Sequence, residues 1–337
     1  MENNLLRVQD LSIGIDNEKN REKNKKPLLA VDNINFHVRR GEILGIVGES
    51  GCGKSLTSLS IIGLLSNGVK VTNGKIILDG TDLLSLSEPE FRKLKGNEIS
   101  MIFQEPMTSL NPLMKIGKQV GEVILLHQNK LKKDINEEVF QILTKVGLRN
   151  PQESMNAYPH QLSGGMRQRV MIAMAIICKP KLLIADEPTT ALDVTIQAQI
   201  LDLLRNINKE YGTTILFVSH DLGVIKQLCD RVLVMYAGKI AEEGTIGNIF
   251  THPVHEYTKG LLNSIPTQKK KGTRLDCIVG RVPTLEERNT GCAFASRCKA
   301  ARDICFKEEP IQLDLSMNHS VNCHLADLES EMEYVRI

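Results

Sequence analysis

Three stretches of this chain carry residue types whose spacing could do chemistry. Gly48-Glu49-Ser50-Gly51-Cys52-Gly53-Lys54-Ser55 fits the G-x-x-x-x-G-K-[ST] pattern of a phosphate-binding loop. Its three glycines let backbone N–H groups curl around an anion, because a Cβ there would strike the oxygens or forbid the turn. The candidate cradle for ATP phosphates is Gly48, Ser50, Gly51, Cys52, Gly53, Lys54, Ser55 and Leu56, with the Cys52 side chain serving packing. Lys54 is placed to reach the β- and γ-phosphates, and the Ser55 hydroxyl to ligate Mg²⁺. Further on, the apolar run before Asp186-Glu187 delivers two adjacent carboxylates. Alone, such a run is often a strand meeting a polar loop. Downstream of a phosphate loop, Asp186 reads as a Mg²⁺ ligand and Glu187 as the base that polarises an attacking water. The third stretch is the tail, where Cys292, Cys298, Cys305 and Cys323 crowd together while Cys52, Cys178, Cys229 and Cys277 are scattered. No export signal precedes them, so disulfides explain the crowd poorly and metal or cluster ligation explains it better. The gaps of five, six and seventeen residues are wider than zinc-finger spacing. Thiolates suit iron–sulfur clusters or zinc, and both stay open on the residues alone.

The elements that must position these groups can be read from periodicity. Leu11, Ile13 and Ile15 alternate with small or polar residues, as do Ile34, Phe36 and Val38, which predicts half-buried antiparallel strands around a charged loop at 17–26. Ile43–Val47 is an apolar run suited to a central strand, and Ser55–Leu65 reads as the helix whose positive end faces the anion. Asp79-Gly80 predicts a hairpin turn after Ile76–Leu78, and Ser87 with Glu90 a capping box for a helix to Leu94. Ile99–Phe103 is a strand. Helices are expected over 116–127 and 136–146, the second closed by Gly147. With no strand pattern between 106 and 160, this region reads as an inserted helical subdomain. Strand and helix then alternate: 182–185, 194–210, 214–218, 222–229 and 232–236. That order predicts a parallel sheet covered by helices, an α/β fold. Residues 266–288 read as a linker, ahead of a small cysteine-rich satellite.

Bulk properties narrow the function. The chain has 337 residues, 24% of them charged, with a net charge of +2. That balance excludes disorder and offers no field to draw in nucleic acid or anionic lipid. The basic runs Lys23, Lys25, Lys26 and Lys269–Lys271 read as solvated loops. The N-terminus lacks a secretory pattern, and the longest apolar run, Val170–Cys178, is too short to span a bilayer. Any membrane role must come through partners.

Leu162-Ser163-Gly164-Gly165-Met166 is similar to the LSGGQ signature of ABC ATPases, with Met166 in place of the usual glutamine. The chain also resembles that family, in the family's order, at Gln104, at Ala191-Leu192-Asp193 and at His220 in Val218-Ser219-His220-Asp221. Taken singly, each would read as a surface or core residue. The resemblance, which covers residues 5 to 265, implies a P-loop NTPase of the ABC type, with an antiparallel β subdomain and a helical subdomain over about 106–165. It implies that Ser163, Gly164 and Gly165 bind the ATP held by a partner subunit. It further implies that Gln104 contacts Mg²⁺ or water, that Asp193 communicates across the dimer and that His220 holds the γ-phosphate and water. The family's adenine-stacking aromatic is matched by Ile15, which leaves ATP preference over GTP open.

The tail, with Tyr257–Leu262 and Ile265-Pro266 before it, looks like the C-terminal region of oligopeptide and dipeptide importer subunits. In some members of that family four cysteines hold a [4Fe–4S] cluster, so this is the reading for Cys292, Cys298, Cys305 and Cys323, ahead of zinc or free thiols. The domains expected are 1–265 for the ATPase and 266–337 for linker and tail. The resemblance implies ATP hydrolysis that powers peptide import from the cytoplasmic face of the membrane. The partners would be a homologous, different ATPase subunit, two transmembrane permeases and an extracellular peptide-binding protein. Import of nickel or another small solute is the alternative, followed by a soluble regulatory ABC ATPase. The absence of long heptads and of a second cassette counts against the repair and translation types.

Overall fold

A run of five apolar residues cannot face water on either side, and Ile43–Val47 is buried along its whole length. The computed structural model describes residues 3–16, 27–128, 130–190, 192–265, 277–288 and 290–326. The charged loop expected over 17–26, Ala191, and the part of the linker that carries Lys269–Lys271 lie outside the described residues. The strands are β1 (Asn4–Ile15), β2 (Leu28–Arg39), β3 (Ile43–Val47), β4 (Val69–Leu78), β5 (Thr81–Asp82), β6 (Ile99–Ile102), β7 (Leu182–Asp186), β8 (Thr214–Ser219), β9 (Arg231–Tyr236), β10 (Lys239–Thr245), β11 (Gln312–Ser316) and β12 (His319–Asn322). The helices are α1 (Lys54–Ile61), α2 (Glu88–Leu94), α3 (Pro106–Ser109), α4 (Ile116–His127), α5 (Lys132–Lys145), α6 (Pro151–Asn156), α7 (Gly164–Ile176), α8 (Val194–Tyr211), α9 (Leu222–Leu228), α10 (Ile246–Thr251), α11 (Glu256–Asn263) and α12 (Asp303–Lys307).

The chain divides into two compact units. One is Met1–Leu6, Val38–Ile43 and Leu78–Phe217; the other is Arg7–His37, Leu44–Ile77 and Val218–Ile337. In the second unit β3 runs parallel to β9, with Val47 opposite Val234, and β9 pairs antiparallel with β10. The strand order continues through β12 to β11, because Glu242 of β10 lies opposite Val321 of β12. The cysteine-rich tail, read from sequence as a satellite, is therefore built onto the unit that contains the phosphate loop. The same unit holds most of the antiparallel layer β2-β1-β4. On β2, Ile34, Phe36 and Val38 are buried while Asn35 is exposed, as alternation predicts.

The first unit holds β6 and β7, parallel, with Ile102 opposite Ala185. Among the described residues from 106 to 160 there are helices and no strand, as expected. Ile116, Val120 and Ile124 form the buried stripe of α4, and Ile135, Val139 and Leu143 that of α5. Ser87 and Glu90 form the expected capping box, with Ser87 N–H donating to Glu90 at 2.9 Å. Asp79 and Gly80, with φ of 50° and 85°, make the tight turn after β4. Helix α1 stops at Ile61, four residues before the expected end, where Gly63 turns left-handed (φ 64°). Helix α5 starts four residues before the expected Asn136. No described helix is long and apolar enough to cross a membrane.

Candidate functional site

In the unit that carries β3, the strand hands the chain to the phosphate loop. Gly51 (φ 79°) and Gly53 (φ 102°) supply the left-handed turns, and Gly53 is the N-cap of α1. Gly48 is needed for a different reason: a Cβ there would sit 2.1 Å from the Met235 carbonyl oxygen. Lys54 is 5% exposed and folds back over the loop, its Nζ donating to the carbonyls of Gly48 at 2.7 Å and Glu49 at 3.1 Å. A lysine held over a ring of backbone amides at a helix N-terminus is built for anions. The Cys52 thiol is buried, its pKa pushed up by that burial, which agrees with a packing role. Ser55 lies exposed in the first turn of α1 and Leu56 half-buried beside it. Ser50 is exposed as well.

The sequence gives no hint of the residue that grips this loop from outside. The hydroxyl of Tyr257, on α11, accepts the N–H of Glu49 at 2.8 Å. Tyr257 is fully buried, and its phenol is held neutral by burial. His220 follows β8 and is exposed, and Asp221 behind it caps α9 through Gly223 N–H at 2.7 Å.

The other unit holds the carboxylates. Strand β7 is buried throughout and ends at the buried Asp186. Carried on by two residues, the register Ile102↔Ala185 sets Gln104, two past the end of β6, against Glu187, one past the end of β7. There Gln104 Nε2 donates to Glu187 Oε2 at 3.1 Å, and Thr190 Oγ1 donates to the same oxygen at 3.0 Å. Two candidate residues 83 positions apart thus meet directly. Glu187 also takes a left-handed backbone, φ 47°. In the same unit Ser163 is the N-cap of α7, its Oγ accepting Met166 N–H at 3.3 Å, so Gly164 and Gly165 form the first turn. A Cβ on Gly164 would meet open space, while one on Gly165 would approach Ile196 at 3.1 Å. The amides of that first turn have no partner along the helix, which is the property an anion needs. Asp193 caps α8 through Ile196 N–H at 2.9 Å. Gln168, unforeseen in the sequence, ties α7 to the loop after Glu187 by donating to Pro188 at 2.6 Å.

In the tail the four expected cysteines are free thiols. Cys305 accepts Arg302 N–H and Cys323 accepts Leu325 N–H, each at 3.5 Å. Backbone N–H groups of Phe294 and Ala300 serve Cys292 and Cys298. Burial pushes the Cys292 thiol up to about 11, with the other three thiols of the group adding to it. Yet no group of three or more His, Cys, Asp or Glu among the described residues is gathered to hold a metal ion. The four cysteines read from the sequence as [4Fe–4S] ligands, Cys292, Cys298, Cys305 and Cys323, thus do not form such a group among the described residues. The thiols share a neighbourhood and N–H···S bonds, but they are not drawn together around one point.

Residues 31–190 match the family described as ABC transporter, and residues 241–305 match the oligopeptide/dipeptide transporter C-terminal region. The chain is 49% identical to the oligopeptide transport ATP-binding protein AppD of Bacillus subtilis (strain 168), covering 91% of this chain and 94% of that one. It is 51% identical to the dipeptide transport ATP-binding protein DppD of the same organism, over 90% of each. It is 46% identical to the oligopeptide transport ATP-binding protein OppD of Escherichia coli (strain K12), over 91% of this chain and 89% of the relative. Among solved structures it is similar to a dimeric ATP-binding cassette, MJ0796, bound to ADP and Pi. That match has a TM-score of 0.63 and 29% identity, over 72% of this chain and 98% of the other.

Proposed function

Because the chain belongs to the ABC transporter family, among its oligopeptide and dipeptide ATP-binding proteins, we propose that it hydrolyses ATP to drive peptide import through a membrane complex. The observation that carries this reading is the curl of residues 48–54, with Lys54 folded over left-handed glycines at the head of α1. Lys54 neutralises β- and γ-phosphate oxygens, and the loop amides orient them. Ser55 and Asp186 would hold Mg²⁺, which supplies charge neutralisation at the phosphates. Glu187, oriented by Gln104 and Thr190, takes the proton of the attacking water, and His220 steadies that water and the terminal phosphate. The amides of Gly164 and Gly165, with Ser163, serve the ATP of a partner ATPase subunit, and Asp193 links the two sites. That partner is a homologous, different chain. Both work at the cytoplasmic face, beneath two permease subunits fed by an extracellular peptide-binding protein.

The test is phosphate release by the reconstituted transporter with peptides and their binding protein. Peptide-stimulated hydrolysis that Lys54→Ala abolishes is the expected result. Stimulation by nickel and by no peptide would replace the substrate assignment. For the tail, the four cysteines are the ligands we assign to a [4Fe–4S] cluster formed on loading, supported by their soft sulfur donors and their N–H···S bonds. Protein purified without air and remaining colourless, with no iron bound, would remove that assignment and leave the ATPase reading standing.

A further inference from the structure

We propose that Arg297, in the cysteine-rich tail, is a positioning residue for nucleotide binding that acts by clasping the Glu49 carboxylate of the phosphate loop. The inference rests on the reading that residues 48–55 hold ATP. Glu49 occupies one of the four unrestricted positions of that motif, and it puts a fixed negative charge in a loop that must accept a polyanion. A carboxylate and a polyphosphate held by the same loop repel each other. Arg297 meets that carboxylate in a forked pair, Nη1 to Oε2 at 2.5 Å and Nη2 to Oε1 at 3.1 Å.

The guanidinium is itself held in place. Its side chain is 5% exposed. Nε donates to the Val279 carbonyl at 3.0 Å, Nη1 to the Tyr236 hydroxyl at 3.3 Å, and Nη2 to Ile278 at 3.3 Å. It lies 5.7 Å from the ring centre of Tyr236 and 5.9 Å from that of Phe294. Arg297 ends the short turn Ala295–Arg297, immediately before Cys298. Glu49 is thus gripped twice, at its carboxylate by the tail and at its N–H by Tyr257. The Tyr257 and Phe294 rings are packed together at 5.4 Å. The alternative is an ion pair that only anchors the tail, and the two differ in what removing the Glu49 charge does.

The experiment is calorimetric titration of the full chain with MgATP, using wild type, Arg297→Ala, Arg297→Gln, Arg297→Lys, and Arg297→Ala combined with Glu49→Gln. Removing the guanidinium should weaken MgATP binding about tenfold, as an uncompensated charge beside the phosphates requires. Arg297→Lys should fall between, since it keeps charge and loses the fork. The double variant should regain most of the lost affinity. In the reconstituted transporter, Arg297→Ala should raise KM for ATP with kcat nearly unchanged, the signature of lost uniform binding. Should Arg297→Ala fail to fold by circular dichroism, Arg297→Gln with and without Glu49→Gln decides the same point. Unchanged affinity in a folded Arg297 variant overturns the proposal, as does a double variant as weak as the single. Wild type that binds no MgATP would instead bring down the phosphate-loop reading beneath it.

Discussion

Glu187 sits where a β-carbon is unwelcome: its φ of 47° costs an ordinary residue roughly 1–2 kcal/mol, and the carboxylate is still met by Gln104 and Thr190. A strained backbone that aims a charged group into a polar turn is the kind of position where strain serves function. Replacing Glu187 by Gln keeps size and hydrogen bonding but removes the base. Phosphate release should then fall by roughly 100-fold or more, while MgATP affinity measured by calorimetry is retained. Hydrolysis at the original rate would take the base role away from this residue. Gly48 makes the opposite point. It carries no chemistry of its own, yet a methyl group would collide with the Met235 carbonyl.

At the scale of elements, the entry to α11 is a pH-dependent joint. His255 is its N-cap, and Nδ1 accepts Tyr257 N–H at 3.0 Å, so the ring must be neutral for the cap to form. Burial lowers its pKa from 6.5 to about 4. A histidine whose folded pKa is depressed is protonated in the unfolded chain first. Its stabilising contribution is therefore full above pH 6.5 and is lost as pH falls toward 4. Roughly 2 kcal/mol should disappear between pH 7 and pH 5 from this group alone. Buried Glu242 acts in the same direction. Burial raises its pKa, but bonds from His319 and the N–H groups of Val254 and His255 outweigh this and hold it low. Urea unfolding at both pH values should show the drop, and His255→Asn, which can still cap, should flatten the His255 part of it. An equally steep pH dependence in that variant would shift the effect to other groups.

For the molecule as a whole, the net charge is +2 and no described helix is long and apolar enough to cross a membrane, so the proposed function needs permease partners to bring it there. The helical segment exposes apolar groups that such partners could cover: Leu125 is 63% and Leu126 74% open to solvent, and Leu113 and Leu131 are exposed as well. Adjacent exposed leucines are wasted on a free surface and useful in an interface. Changing Leu125 and Leu126 to Asp should leave MgATP affinity of the isolated chain intact and reduce peptide-stimulated hydrolysis at least several-fold in the assembled transporter. Full stimulation in that variant would place the permease contact elsewhere.

Much of the site was legible because its signals are local. Gly51, Gly53 and Lys54 announce themselves by type and spacing, and β3, β7 and α4 by runs and periods within one element. Strand β10 and the hairpin of β11 and β12 were not legible. Their sequences are short and polar, with Glu242 at a buried position, and they are held by pairing with each other. The end of α1 depended on a single glycine, and the start of α5 on Lys132, Lys133 and Asp134, polar residues ahead of the first buried one, Ile135. The residues in order were enough for the nucleotide chemistry and for the succession of apolar strands and striped helices, since backbone turns and apolar periods are properties of consecutive residues. That Gln104 meets Glu187, and that Arg297 reaches Glu49 across 248 positions, came from folding alone. Such pairs are set by strand register and side-chain packing, and distance along a chain leaves no periodic trace of them.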